Sequence, residues 1–302
     1  MGSGTRTTDA GAGRESAEEL TVYYVLIILS ALLFSIQFIM NNGYQRADGA
    51  GWGAALRFSL YSSLVGILLL LAINSFHLSF TWFSLAVAFV YALICIGSNF
   101  CSVRAFEHAN LSMYSVFSMI GGMVIPFLYG MGFCGEEVRP LRIICCAFMA
   151  VSVVLSVEKG TAAKGALKYY LGVFILNGAV GAVSKFHQSH PESGVESADF
   201  LILAKIVIVV LSFILLFLQK DRRLVPCGKA LAFASGFAVL SSVGNLFLLI
   251  SLYHLPASVQ YPVVTGGVIV FSTAIDLIVS RKFQKRKVLS AVVALAASVL
   301  MM

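Results

Sequence analysis

Ten apolar runs, bounded by Gly, Pro, Asn or charge, fill this chain from end to end. They lie at residues 22–40, 54–73, 82–106, 111–133, 140–157, 168–187, 199–218, 229–252, 257–280 and 286–302. About 20 apolar residues at a helical rise of about 1.5 Å each cover the ~30 Å hydrocarbon core of a bilayer. A spanning segment must satisfy its own backbone polar groups, which leaves helices or closed barrels. The in/out alternation of a membrane barrel is absent and the runs are about twice a barrel strand's length. The expected fold is therefore an all-α membrane protein with ten transmembrane helices, multi-pass in the cell membrane with the lipid bilayer as its main partner. Of the 302 residues 59% are hydrophobic and 12% charged, where soluble domains carry about a quarter charged residues. A soluble enzyme or a nucleic-acid binder is excluded on that ground, despite a net charge of +7. The last run is short: Val288 to Met302 covers only about 22 Å, so Lys285 to Lys287 must snorkel toward the headgroups.

Residues 1–21 hold no apolar stretch until their end and are rich in Gly, Ser, Thr and Glu, the composition of a disordered tail. Val22 to Met40 is too long for a signal peptide and no small-x-small site follows it. The cysteines (Cys95, Cys101, Cys134, Cys145, Cys146, Cys227) fall in or beside apolar runs without a repeated CxxC pair, so they read as small hydrophobes. No HExxH, nucleophile elbow or phosphate loop occurs, so no catalytic residue, enzyme activity or cofactor is expected. His187, His190 and Glu192 have a faint metal-site spacing, but a third ligand is not evident and a solvated loop is the better expectation.

The chain repeats itself at an offset of 146 residues. Tyr23-Tyr24 recurs as Tyr169-Tyr170, Leu85-Ala86 as Leu231-Ala232, Ala88 as Ala234, Ala92 as Ala238, Asn99 as Asn245 and His108 as His254. With one residue deleted, Gly121-Gly122 recurs as Gly266-Gly267; with two added in the preceding loop, Arg57 corresponds to Lys205. Polar matches at a constant offset on equivalent helices point to duplication. Each copy (22–158 and 168–302) contains five runs, and an odd number of crossings inverts the second copy. Two inverted five-helix repeats enclosing a midplane cavity form the architecture of secondary transporters.

The chain resembles the drug/metabolite transporter superfamily, in particular its ten-helix EamA-like members. The likeness rests on a basic residue opening the second helix of each repeat (Arg57, Lys205) and on a third helix running almost directly into the fourth through Ala105 to Ser112 or Ser251 to Ser258. Pro126 in the fourth helix and Gly135-Glu136 before the fifth complete it, while Ser280-Arg281 stands where the family often repeats Gly-Glu. The resemblance covers residues 22–302 and implies a transporter without specifying a substrate. Four-helix multidrug exporters of the superfamily depend on a glutamate in helix one; this chain has only Gln37 there, which disfavours cation/proton exchange.

Polar groups inside a span are costly unless they face a cavity or a partner, so the few present are the substrate-binding candidates. Lys205 is the deepest basic group, with a contact to substrate and snorkelling toward Asp199 as its two readings. Asn99 and Asn245 fall about 5 Å either side of the midplane in inverted copies, and Asn177 joins them mid-helix. Tyr114 and Ser118 share a helix face with Gly122, as Tyr261 and Thr265 share one ahead of Gly266-Gly267. Arg57 and Lys185 read as interfacial anchors, and Asp276 as the partner of Arg281. An isolated cation finds no fixed counter-charge among Gln37, Asn99, Tyr114, Ser118, Asn177, Asn245, Tyr261 and Thr265, whereas a carboxylate finds Lys205. The expected function is alternating-access transport of a small neutral, zwitterionic or weakly anionic metabolite such as an amino acid. A multidrug exporter and a channel are the alternatives; oligomeric state, coupling ion and direction are not legible.

Orientation follows from loop charge. With loops assigned alternately, the side of the termini holds Arg6, Arg14, Arg139 and Arg142, while all other loop cations, from Arg46 through the Arg281 to Lys287 cluster, lie opposite. Family resemblance implies cytoplasmic termini; the positive-inside rule puts the cation-rich side in the cytoplasm and the termini outside, and the charge bias is the larger argument. A cysteine introduced at position 3 is expected to react with an impermeant thiol reagent on intact cells, and one placed within 281–287 is not. The reverse pattern overturns this orientation.

Overall fold

The computed structural model describes the backbone of residues 6–49, 51–108, 111–137, 139–156, 167–219, 223–280 and 285–301. It describes their side chains except at 6–19, 42, 102–108, 111–116, 156 and 279–280. All regular structure among these residues is helical: α1 (Arg6–Asp48), α2 (Trp52–Ile73), α3 (Trp82–His108), α4 (Leu111–Phe133), α5 (Pro140–Ser156), α6 (Leu167–Gln188), α7 (Ser197–Leu218), α8 (Gly228–Leu252), α9 (Ala257–Ser280) and α10 (Lys285–Met301). Each apolar run is one helix. Seven are long and apolar enough to cross a membrane, namely α2, α6, α7 and α8, with Leu20–Asp48 of α1, Trp82–Cys101 of α3 and Ala257–Ile278 of α9. Phe117–Phe133 of α4 and Pro140–Leu155 of α5 are apolar but shorter, and α10 has 17 residues.

One expectation is corrected at the N-terminus. α1 starts at Arg6, inside the stretch whose composition suggested a disordered tail. Arg14 to Leu20 contains Ala and Glu, good helix formers that extend an existing helix at little cost once the apolar segment has nucleated it.

The surface is apolar. Trp82, Phe133 and Phe217 are 79%, 82% and 77% exposed, and large hydrophobic side chains are exposed along every helix, which suits a molecule whose solvent is lipid. The buried positions, by contrast, are crowded with small residues, among them Ala88, Ala92, Ala234, Ala238, Ser30, Ser35 and Ser152. Small side chains let backbones approach closely where apolar burial gives no drive between helices.

α1 packs on α8 and α9, and α6 packs on α3 and α4; α2 packs on α7 and α8, and α7 also on α3. α4 meets α9, and α5 meets α10. Exchanging each helix with the one five places along leaves these pairings unchanged, whereas the close packing of α9 on α10 has only a slight counterpart between α4 and α5. α1 also serves as a ruler: the Tyr23 ring stacks on His254 in the α8–α9 turn, and Asp48 closes the helix 25 residues later. That distance is about 37 Å, more than the hydrocarbon thickness of a bilayer.

The tightest contact joins α4 to α6. A methyl group at Gly121 would run into the Phe174 carbonyl, and one at Gly178 into the Gly121 carbonyl and Ile125. Backbone cannot give way as a flexible side chain can. Gly121→Ala is therefore expected to destabilise the protein by about 1–3 kcal/mol, read as a lower Tm in detergent. Gly132→Ala, where a methyl meets nothing within 4 Å, should leave Tm unchanged or raise it.

Candidate functional site: a polar cavity between the helices

Between the ends of the bundle lies a cavity of about 350 Å³. Its wall is built from α1 (Phe34, Gln37, Phe38, Asn41), α3 (Ser98, Asn99), α4 (Ser118, Gly122), α6 (Asn177, Gly181, Ser184), α8 (Phe237, Asn245) and α9 (Tyr261, Thr265), with Phe58 from α2. Gln37 stands about 21 Å along α1 from Tyr23 and about 16 Å from Asp48, so the cavity is at mid-depth. A second lobe of about 290 Å³ shares Phe58, Ser98, Asn99, Asn177, Val180, Phe237 and Asn245 with the first, and adds Ser59, Ser62, Ser63, Tyr91, Cys95, Lys205 and Ser241. The two lobes adjoin along these shared residues.

Gln37, Asn99, Ser118, Asn177, Asn245, Tyr261 and Thr265, nominated from the sequence, thus converge on one lobe, and Lys205 lines the other. The side chain of Tyr114 lies outside the described residues. The convergence comes from helix periodicity: Ser118 and Gly122 share one face of α4, and Tyr261 and Thr265 share one face of α9. Where α4, α6 and α9 meet, Gly181 touches both Pro126 and Tyr261, and its carbonyl accepts the Tyr261 hydroxyl at 3.0 Å.

The amides of Asn99, Asn177 and Asn245 are each anchored by their nitrogen. Asn99 Nδ2 donates to Ser59 Oγ at 2.8 Å, Asn177 Nδ2 to the Ser118 carbonyl at 2.7 Å, and Asn245 Nδ2 to the Ser241 carbonyl at 2.7 Å. Gln37 Oε1 is buried without a partner among the described residues. The Lys205 ammonium lies against Gly66 of α2, and among the described residues no carboxylate forms an ion pair with it. The snorkelling alternative is not realised: Asp199 accepts a 2.6 Å hydrogen bond from Asn74 instead. The lining is thus a neutral polar surface with one cation at its edge.

Two ionic clusters, both missed from the sequence, close the ends of the bundle. At one end Glu136 accepts the backbone N–H groups of Ala257 and Ser258 at 2.7 and 2.9 Å, capping the start of α9, and pairs with Lys185 of α6 at 3.4 Å. At the other, Asp48 pairs with Arg57 at 2.9 Å and Arg223 at 3.5 Å, and accepts the Tyr44 hydroxyl at 3.0 Å. Arg57 is therefore a buried structural cation and Lys185 a partly buried one; each has a carboxylate that its own sequence neighbourhood does not advertise. The Gly135-Glu136 pair carried the signal for the first cluster, but only as a family motif.

Asp276 pairs with Lys287 at 2.9 Å; its expected partner, Arg281, lies outside the described residues. One further expectation is corrected, at His187. His187 is buried, stacked on Phe200 with ring centroids 4.0 Å apart and hydrogen-bonded to Ser84 Oγ at 2.9 Å. It belongs to the last turn of α6, not to a solvated loop. Among the described residues no His, Cys, Asp or Glu group is placed to hold a metal ion, and all six cysteines are free thiols.

No protein-family model matches the sequence, and no curated protein matches it significantly. A solved structure described only as a crystal structure of a protein superposes with a TM-score of 0.74, covering 93% of this chain and 96% of its own at 14% identity. At that identity the likeness concerns the fold alone.

Removing the Glu136 carboxylate strips two caps from α9 and leaves Lys185 without its partner. Glu136→Ala is expected to cost about 3 kcal/mol or more, measured by denaturation in detergent. Glu137→Ala removes only an exposed pair with Arg139 and should change stability by less than about 1 kcal/mol.

Proposed function

We propose that the chain is a secondary transporter of the drug/metabolite transporter type, with ten spans in two inverted five-helix repeats, moving a small neutral, zwitterionic or weakly anionic metabolite by alternating access. One observation carries the reading. The mid-depth cavity is walled by α1, α3 and α4 together with the helices five places along, α6, α8 and α9. A site between two equivalent halves is what rocking of one half against the other exposes to each side in turn.

Three features support it. Most of the extensive helix pairings, α9 with α10 excepted, are unchanged by the five-helix exchange, as expected of a duplicated fold. The polar residues gather at mid-depth with ionic clusters at either end, which favours an occluded site over a continuous aqueous pore. The cavity lining named above holds no carboxylate, so a cationic drug finds no counter-charge there.

Purified protein in proteoliposomes is expected to show saturable uptake and counterflow of a solute found by a stabilisation screen over amino acids, sugars, nucleosides and organic acids. Lys205→Ala should abolish or alter transport. Asn99→Ala and Asn245→Ala should weaken affinity about five- to tenfold, the worth of roughly 1 kcal/mol hydrogen bonds, while the proteins still insert. Flux without counterflow indicates a channel. Normal transport by Lys205→Ala, or lipophilic cations as the best stabilising ligands, moves the multidrug reading ahead.

A further inference from the structure

The direction in which the cavity amides face narrows the substrate further. An asparagine has one donor end and one acceptor end, and whichever end the protein engages leaves the other for a ligand. For Asn177 and Asn245 the partner atoms are backbone carbonyls, of Ser118 and Ser241. A carbonyl only accepts, so the nitrogen must face it and the amide cannot be turned round without losing the bond. The would-be methyl of Gly122 also lies 2.9 Å from Asn177 Nδ2, placing that nitrogen against α4. Both Oδ1 atoms therefore remain free of protein donors among the described residues, on side chains that line both lobes. At Asn99 the partner is the Ser59 hydroxyl, which can donate or accept, so that amide serves either way.

The cation lines the same lobe. The Lys205 ammonium lies against Gly66 of α2 and shares the wall of the second lobe with Asn177 and Asn245. That lobe thus offers hydrogen-bond acceptors and a positive charge to one solute.

We infer that the cavity selects a bipolar solute, a primary ammonium whose N–H groups are taken by Asn177 and Asn245 Oδ1 and whose carboxylate faces Lys205: a free, unmethylated amino acid bound in a fixed direction. This rests on the reading of the central cavity as the substrate site. Amide oxygens receive an ammonium through its hydrogens, so a charge without N–H groups is not a substitute. Lys205 supplies the only fixed counter-charge named in the lining, so an amine without a carboxylate gains nothing from it.

The test uses the full-length protein in detergent, with thermal stabilisation as the binding readout. Free amino acids are screened first, and for the best binder four ligands on its carbon skeleton are compared: the amino acid, its N-trimethyl betaine, the α-hydroxy acid and the amine lacking the carboxylate. The amino acid is expected to bind at least tenfold more tightly than each of the other three. In Lys205→Met the advantage of the amino acid over the amine should vanish, whereas Lys205→Arg should keep it. Asn99→Asp, in which the Ser59 hydroxyl can turn to donate to the new carboxylate, should tighten binding of the bare amine. If Lys205→Met does not fold, the wild-type ligand series decides alone. A betaine that binds as well as its parent, or an amine that outbinds the amino acid, overturns the inference. Binding and counterflow of a sugar or nucleoside with no amino acid bound overturns it while leaving the transporter reading intact. Absence of binding and counterflow across the whole solute panel overturns both.

Discussion

The structure depends on a surface that is apolar on the outside. When lipid is the solvent, burying a leucine gains little over leaving it exposed, so apolar area cannot tell the inside of a helix from its outside. Large hydrophobic residues therefore lie outward along every helix, and what turns inward is whatever lets helices approach or bond. Gly121 and Gly178 bring α4 and α6 into backbone contact. Ser30 donates to the Gly244 carbonyl at 2.9 Å, joining α1 to α8, and Ser152 donates to the Ser290 carbonyl at 2.7 Å, joining α5 to α10. A soluble bundle would use leucines for this work.

The same constraint sorts the polar side chains. A carboxylate or ammonium within an apolar bundle is costly unless it is partnered, and most here are partnered at the bundle ends. Glu136 binds α5's leading loop to α6 and α9 at one end, and Asp48 binds α1 to α2 and the α7–α8 loop at the other. Between these ends the polar groups that line space are neutral amides and hydroxyls, with Lys205 at their edge. The cavity is where hydrogen-bonding capacity is left over, in Asn177 and Asn245 Oδ1, so it is where a solute can replace water without losing its own bonds.

The helix boundaries and the cavity were legible in the sequence to different degrees. Every apolar run became a helix, because length and hydropathy are local properties. Asn99, Asn177, Asn245, Ser118, Tyr261 and Thr265 could be nominated because a polar group in a span needs a reason, and a helical face is read from spacing. The partners of charged residues were not legible. Arg57 looked like an anchor and is buried against Asp48. His187 looked solvated and stacks on Phe200. Each error has one cause: a side chain's partner comes from whichever helix packs alongside, and sequence proximity does not reveal that.

By itself the sequence determined an all-helical chain, where its helices lie, that it is apolar enough to suit a membrane, and which polar residues are set within apolar helices. Those follow from backbone hydrogen bonding and transfer energies, which act within one segment. Only the tertiary structure decided that α1 packs against α8 and α6 against α3, that Glu136 caps a helix 121 residues away, and that Asn177 and Asn245 turn their oxygens rather than their nitrogens free. Helix packing in an apolar solvent is set by shape and by single hydrogen bonds between distant segments, and neither is written in the order of residues along any one helix.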